Sequence, residues 1–159
     1  MGDQRAYMRG RNDFYSYLYT SVSPRVTING VTGKMIQDKY NPDGDHPHLP
    51  AYSGTSDIYF YPGKDGLATQ AKVYIGNKMI LDFDWDHQHS NKKGKEVTAV
   101  FPKGTVHVQE YVCFKVKDPK TGKMVDKFKR KSNNARRMTP QEIAKYGAII
   151  HHFNPNVIL

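Results

Sequence analysis

Apolar and polar side chains alternate along Thr105–Lys117. Val106, Val108, Val112, Phe114 and Val116 fall on one face, with Glu110 as the exception there. His107, Gln109, Tyr111, Cys113 and Lys115 fall on the other. A period of two is the mark of a strand with one face against a core. The same pattern predicts strands at Asp57–Tyr61, Thr69–Ile75, Met79–Trp85, Val97–Phe101 and Lys123–Lys129. Turn chemistry separates them: Pro62–Gly66, Gly76-Asn77, the polar and basic Ser90–Lys95, Pro102–Gly104 and Asp118–Gly122. Short strands at this spacing predict an antiparallel meander over 57–129. Asn29-Gly30, between β-formers in Val26–Gly33, signals a further hairpin.

Two other patterns frame that sheet. Residues 1–20 carry Tyr7, Phe14, Tyr15 and Leu18 in rough helical register and predict an N-terminal helix, basic through Arg5, Arg9 and Arg11. At the other end Thr139-Pro-Gln-Glu142 has a capping threonine, Pro at the first helical position and Glu at the third. It predicts a helix over 139–153, with Gly147 capping or interrupting it. Between Tyr40 and Pro50, three prolines and a glycine exclude an element. Residues 40–56 therefore read as a long functional loop. The expectation is one α+β domain spanning 1–159: an antiparallel meander sheet with a helix at each end of the sequence.

Composition narrows the function. The chain has 159 residues, 38% of them hydrophobic, enough for one core. No apolar run approaches the ~20 residues of a membrane helix, and the N-terminus lacks a signal-peptide pattern. A cytoplasmic site of action, away from membranes, is expected. The single cysteine, Cys113, excludes internal disulfides and Cys-rich zinc sites, and is expected to be a buried small hydrophobe. Lys plus Arg number 24 against 15 acidic residues, a formal charge of +9. That balance favours a polyanion, most simply nucleic acid, with RNA ahead of DNA. Eleven tyrosines suit base stacking as well as ordinary strands.

The candidate chemistry concentrates in Leu81-Asp-Phe-Asp-Trp-Asp-His-Gln-His89. Asp82, Asp84 and Asp86 share one face of a strand, with Leu81, Phe83 and Trp85 on the other. His87 and His89 would join the second face if the strand persists. With His46 and His48 in the loop and His107 on the next strand, five of the seven histidines cluster in this part of the chain. These five are the candidate catalytic residues. Metal-free RNA cleavage needs a base for the 2′-hydroxyl, an acid for the 5′ oxygen and a cation for the phosphate. The expected site works without a cofactor; the alternative is a divalent ion held by Asp84, Asp86, His87 and His89. Lys103, Gln109 and Tyr111 are candidate substrate contacts. So are Arg130, Lys131, Arg136 and Arg137, which belong to the run Lys127–Arg137 with six cations and no acid. No nucleophile elbow, P-loop or dinucleotide glycine motif occurs.

Ser53-Gly-Thr-Ser-Asp57, Phe83-Asp-Trp-Asp-His87, Lys103–Glu110, Arg137-Met-Thr-Pro140 and Phe153-Asn-Pro-Asn156 carry a resemblance. From about Asp45 onward the chain resembles small uncharacterised domains at the C-termini of bacterial polymorphic toxins and of some phage minor head proteins. The resemblance implies a toxin or anti-host effector, often a nuclease, sometimes paired with an immunity protein. It assigns no catalytic residue. Together these readings predict a small basic nuclease, RNA preferred, cutting by acid–base chemistry with clustered histidines. The alternative is a non-enzymatic phage or mobile-element protein that inhibits a host nucleic-acid machine or binds nucleic acid itself.

Overall fold

Alternating sequence of this kind builds a sheet with two working faces, and the computed structural model, which describes residues 18–43 and 47–159, has one at its centre. The elements are β1 (Tyr19–Ser21), β2 (Val26–Ile28), β3 (Val31–Asp38), β4 (Ile58–Pro62), β5 (Ala68–Ile75) and β6 (Lys78–Asp84). Then come β7 (His89–Lys93), β8 (Glu96–Phe101), β9 (His107–Lys117), β10 (Met124–Arg130) and α1 (Pro140–Phe153). The main sheet has the order β1-β3-β4-β5-β6-β9-β10, with β2 also paired to β3; β7 and β8 form a separate hairpin.

The antiparallel meander holds from β4 to β10, with β7–β8 inserted between β6 and β9. Outside the expected 57–129 span the sheet is mixed: β3 and β4 run parallel, Gly33 facing Ile58. Between them in sequence, Leu49, Ala51 and Tyr52 pack on the tyrosine face of the sheet. The N-terminal helix expected over 1–20 lies, for residues 1–17, outside the described residues; Tyr19–Ser21 at its end are strand β1, paired with Ile36–Asp38. Ser90–Lys95, expected as a turn, contributes most of β7 and the turn into β8.

The two faces differ. On one, Ile58, Phe60, Val73, Phe83 and Val108 pack against Tyr146, Ile149, Ile150 and Phe153 of α1. The predicted capping box forms, with Thr139 Oγ1 accepting from Glu142 N–H and the Glu142 carboxylate accepting from Thr139 N–H. The helix continues unbroken through Gly147 to Phe153, and a Cβ at Gly147 would sit 2.9 Å from the end of the Leu159 side chain.

The other face is built from tyrosines. Tyr59, Tyr61 and Tyr74 are buried under Leu49, Ala51 and Tyr52 of the crossing loop. Loop carbonyls need donors once they are taken from water, and tyrosines supply them. Tyr61 donates to Pro42 O (2.7 Å), Tyr19 to His48 O (2.7 Å) and Tyr74 to Pro50 O (2.5 Å). The tyrosine content thus serves, at these positions, to seal a proline-rich strap onto the sheet. Beyond the strap the same face turns polar, and the candidate site lies there.

Candidate active site

Strand register brings the chemistry together. Asp84, the last residue of β6, pairs with His107, the first of β9, and with Gln70 of β5. One step inward, Asp82 pairs with Gln109 and with Lys72. Partners opposite one another share a face, so Gln70, Lys72, Asp82, Asp84, His107, Gln109 and Tyr111 all lie on the strap side.

His87 reaches this face by a route the alternation did not predict. The strand ends at Asp84, whose Oδ1 accepts the Asp86 N–H (3.2 Å) in a tight side-chain-capped turn. Trp85 is pinned by its Nε1–H to Ala68 O (3.0 Å) and by its carbonyl to the Gly104 N–H (2.7 Å). The turn swings His87 back over Asp84, Nδ1 to Oδ1 3.5 Å, although in an unbroken strand the two would sit on opposite faces. Asp86 is exposed.

His107 lies beneath. It is 2% exposed, stacked on His89 at 4.7 Å between ring centroids and 24° between planes, with His87 edge-on at 5.4 Å. Phe101 of β8, opposite His89, closes the far side. Burial first, then repulsion by His89 and His87, pushes the His107 pKa down to about 4, so its ring is neutral near pH 7. Burial likewise raises the Asp84 carboxyl, opposed by His87. His107 Nδ1 and His89 Nε2 are buried with no hydrogen-bond partner among the described residues. One ligand-capable atom each of Asp84, His87 and His107 lie within 4.8 Å of one another. This is a different set from the expected Asp84, Asp86, His87 and His89: Asp86 leaves it and His107 enters.

Next to the cluster Asp82 gathers three partners. Tyr111 donates to its Oδ2 (2.5 Å), Lys72 Nζ lies 3.5 Å from Oδ1 and Arg130 Nη2 3.5 Å from Oδ2. Lys72 and Arg130 also approach the Tyr111 ring at 5.1 and 5.9 Å. Burial disfavours the Lys72 ammonium, but the charge and hydrogen bond of Asp82 together with the Tyr111 oxygen raise the pKa overall, so the lysine stays charged. These groups wall a groove of about 240 Å³ into which His87, Asp84 and, from the strap, His48 also face. The groove shares Pro47, Thr69 and Asp86 with a larger hollow of about 580 Å³, and Lys103 lines that second hollow beside Lys64 and Asn154.

The remaining predicted residues are dispersed. His46 lies outside the described residues. Gln109 is buried, donating to Asn133 O (3.1 Å). The run Lys127–Arg137 is not a free cationic loop. Arg136 Nε donates to Glu110 (3.1 Å), and its Nη1 and Nη2 grip Glu142 (2.8 and 2.9 Å). Lys131 pairs with the same Glu110 (3.2 Å). The Arg136 backbone pairs with Val108, so this segment is bound against the start of β9. Arg137 is exposed. Cys113, expected to be buried, is exposed, because β9 and β10 leave the body of the sheet there. Lys72 and Gln70 escaped the sequence reading; their alternation with Ala71 and Val73 carried the signal. Comparison with protein-family models, with curated proteins and with solved structures finds no match.

Proposed function

We propose that this protein is a small nuclease that cleaves RNA in preference to DNA by acid–base chemistry at its imidazole cluster. The observation that carries the reading is a single groove lined by two histidines, His87 and His48, together with Arg130. In such cleavage one imidazole takes the proton of the 2′-hydroxyl, whose oxygen attacks phosphorus, and a second protonates the departing 5′ oxygen. The 2′-hydroxyl is the nucleophile, so DNA lacks the reacting group. His87, 61% exposed and beside Asp84, is the imidazole best able to meet a phosphodiester, and His48 is the second. His107 is too enclosed to touch substrate; as a positioning residue it fixes the His87 ring from below. Arg130, 48% exposed, offers a donor to the phosphate. The excess of cations supports a polyanionic substrate, and the resemblance of the chain to toxin C-terminal domains points the same way.

The test is incubation of the purified chain in chelator with one end-labelled oligonucleotide as RNA, as DNA, and as RNA with a single 2′-deoxy position. RNA cut to 2′,3′-cyclic ends, with DNA and the deoxy position spared, is the expected result. His87→Ala should lower the rate by about 10²–10⁴-fold. RNA left intact, or cleaved equally by His87→Ala, removes the reading.

A further inference from the structure

We infer that Asp84, His87 and His107 form a binding site for one divalent transition-metal ion of the zinc class. Three donors, two imidazoles and a carboxylate, converge within 4.8 Å on one side of the sheet. That donor set suits zinc, cobalt, nickel or copper far better than magnesium or calcium, which take oxygen ligands. It also leaves a coordination position free for water or a phosphate oxygen.

A second observation is independent of that convergence. His107 is 2% exposed, yet its Nδ1 has no hydrogen-bond partner among the described residues, and neither has the buried Nε2 of His89 stacked on it. Buried polar atoms are nearly always satisfied, so the orphaned nitrogen of His107, itself one of the three donors, points to a missing ligand. The sheet fixes two of the three donors: Asp84 and His107 are register partners on adjacent strands. Donor atoms around tetrahedral zinc sit roughly 3.4 Å apart, as bonds of ~2.0–2.1 Å require. The donors must therefore close by about an ångström, and His87, exposed on its turn and already 3.5 Å from Asp84, is the one free to move.

An ion bound here occupies the His87 lone pair that proton transfer needs. Zinc would then silence RNA cleavage, a consequence that rests on the acid–base reading above, whereas the site itself does not. The experiment titrates ZnCl₂ into chelator-stripped full-length protein by calorimetry and CoCl₂ by visible absorption, with no RNA present. One ion per chain, with a low-coordinate cobalt band, is expected. His87→Ala and Asp84→Asn should each weaken zinc binding at least ~10-fold. His151→Ala, on α1 with its ring engaging Val157 O, should not. Because His87 is solvent-exposed, its alanine variant tests the site even if His107→Ala fails to fold. Absence of a one-equivalent zinc signal, or wild-type binding by His87→Ala, overturns the inference. Zinc binding without RNA cleavage would uphold the metal site and reject the nuclease reading.

Discussion

Asp82→Asn is the substitution with the most calculable effect on the site. The aspartate balances Lys72, whose side chain is 10% exposed, at 3.5 Å, and holds Tyr111 and Arg130 besides. Unit charges at that separation attract by about 5 kcal/mol at an effective dielectric of ~20. Asparagine is nearly isosteric and still accepts from Tyr111, so packing and one hydrogen bond survive. What is lost is the countercharge of a buried ammonium. Removing one member of a fully buried pair costs ~3–5 kcal/mol. Asp82 keeps 15% exposure and Arg130 is half open to water, which screens the remainder. The expected loss is therefore about 2–3 kcal/mol.

Trp85, the single tryptophan, is 3% exposed and hydrogen-bonded to Ala68 O, so its fluorescence reports unfolding in urea. The midpoint for Asp82→Asn should fall by about 1–2 M. Lys72→Met should be milder, since Asp82 retains Arg130 and Tyr111. The double variant carries no unbalanced lysine and should lie within ~1 kcal/mol of wild type. A loss under ~1 kcal/mol in Asp82→Asn, or a double variant whose loss equals the sum of the singles, would refute the idea that Lys72 depends on this carboxylate.

Three further expectations concern the frame. Arg136→Gln should destabilise by about 1–2 kcal/mol, or roughly 2–8 °C in Tm, because it releases Glu110 and Glu142 together; Arg136→Lys should recover less than half, having no fork for Glu142. Gly33→Ala places a Cβ 2.6 Å from Ile58 Cγ2 and 2.8 Å from Ile58 O and should cost about 1–3 kcal/mol, while Gly54→Ala, with nothing within 4 Å, serves as the neutral control in the same urea series. Asp126 feels burial that pushes its pKa up, but donors from Lys115, Tyr52 and Lys78 prevail and hold it at about 2, below the ordinary 3.8. Its stabilisation is then complete above pH 4 and disappears as pH falls toward 2; Asp126→Asn should lack that part of the acid-side loss, and an identical pH profile in the variant would rule the linkage out.

Strand existence was legible wherever one face met a core. The polar row His107, Gln109, Tyr111 follows directly from alternation and is found in that register. The reading failed where the period alone was followed past an element's end. His87 falls opposite Asp84 only if the strand persists, and nothing in the spacing reveals that it stops at Asp84 and turns on its own side chain. Ser90–Lys95 read as a turn because the β7–β8 hairpin exposes most of its side chains, leaving no apolar stripe. Cys113 read as buried because β9 keeps its alternation after leaving the sheet for the β9–β10 arm. The parallel β3–β4 pair joins strands separated by a proline-rich stretch, and a count of prolines cannot specify how two such strands pair. Arg136 looked free because its acids, Glu110 and Glu142, both lie outside Lys127–Arg137.

The ion pairs also decide where the positive charge acts. Lys72 and Arg130 share Asp82, Lys131 and Arg136 share Glu110, and Lys78 and Lys115 share Asp126. Six cations are thereby committed to holding strands together, and the groove itself is nearly balanced. The surplus that can attract a polyanion must come from elsewhere, notably Lys92, Lys93 and Lys95 on the β7–β8 hairpin and Lys127 and Lys129 on the β9–β10 arm, all exposed. β7 starts at His89, against His107, and β10 ends at Arg130, against Asp82. Each arm is thus rooted at the site. On the nuclease reading proposed above, such an arrangement would separate attraction from chemistry: exposed lysines would gather a phosphate backbone from solution, while the balanced groove would select by contact with Arg130 and the histidines.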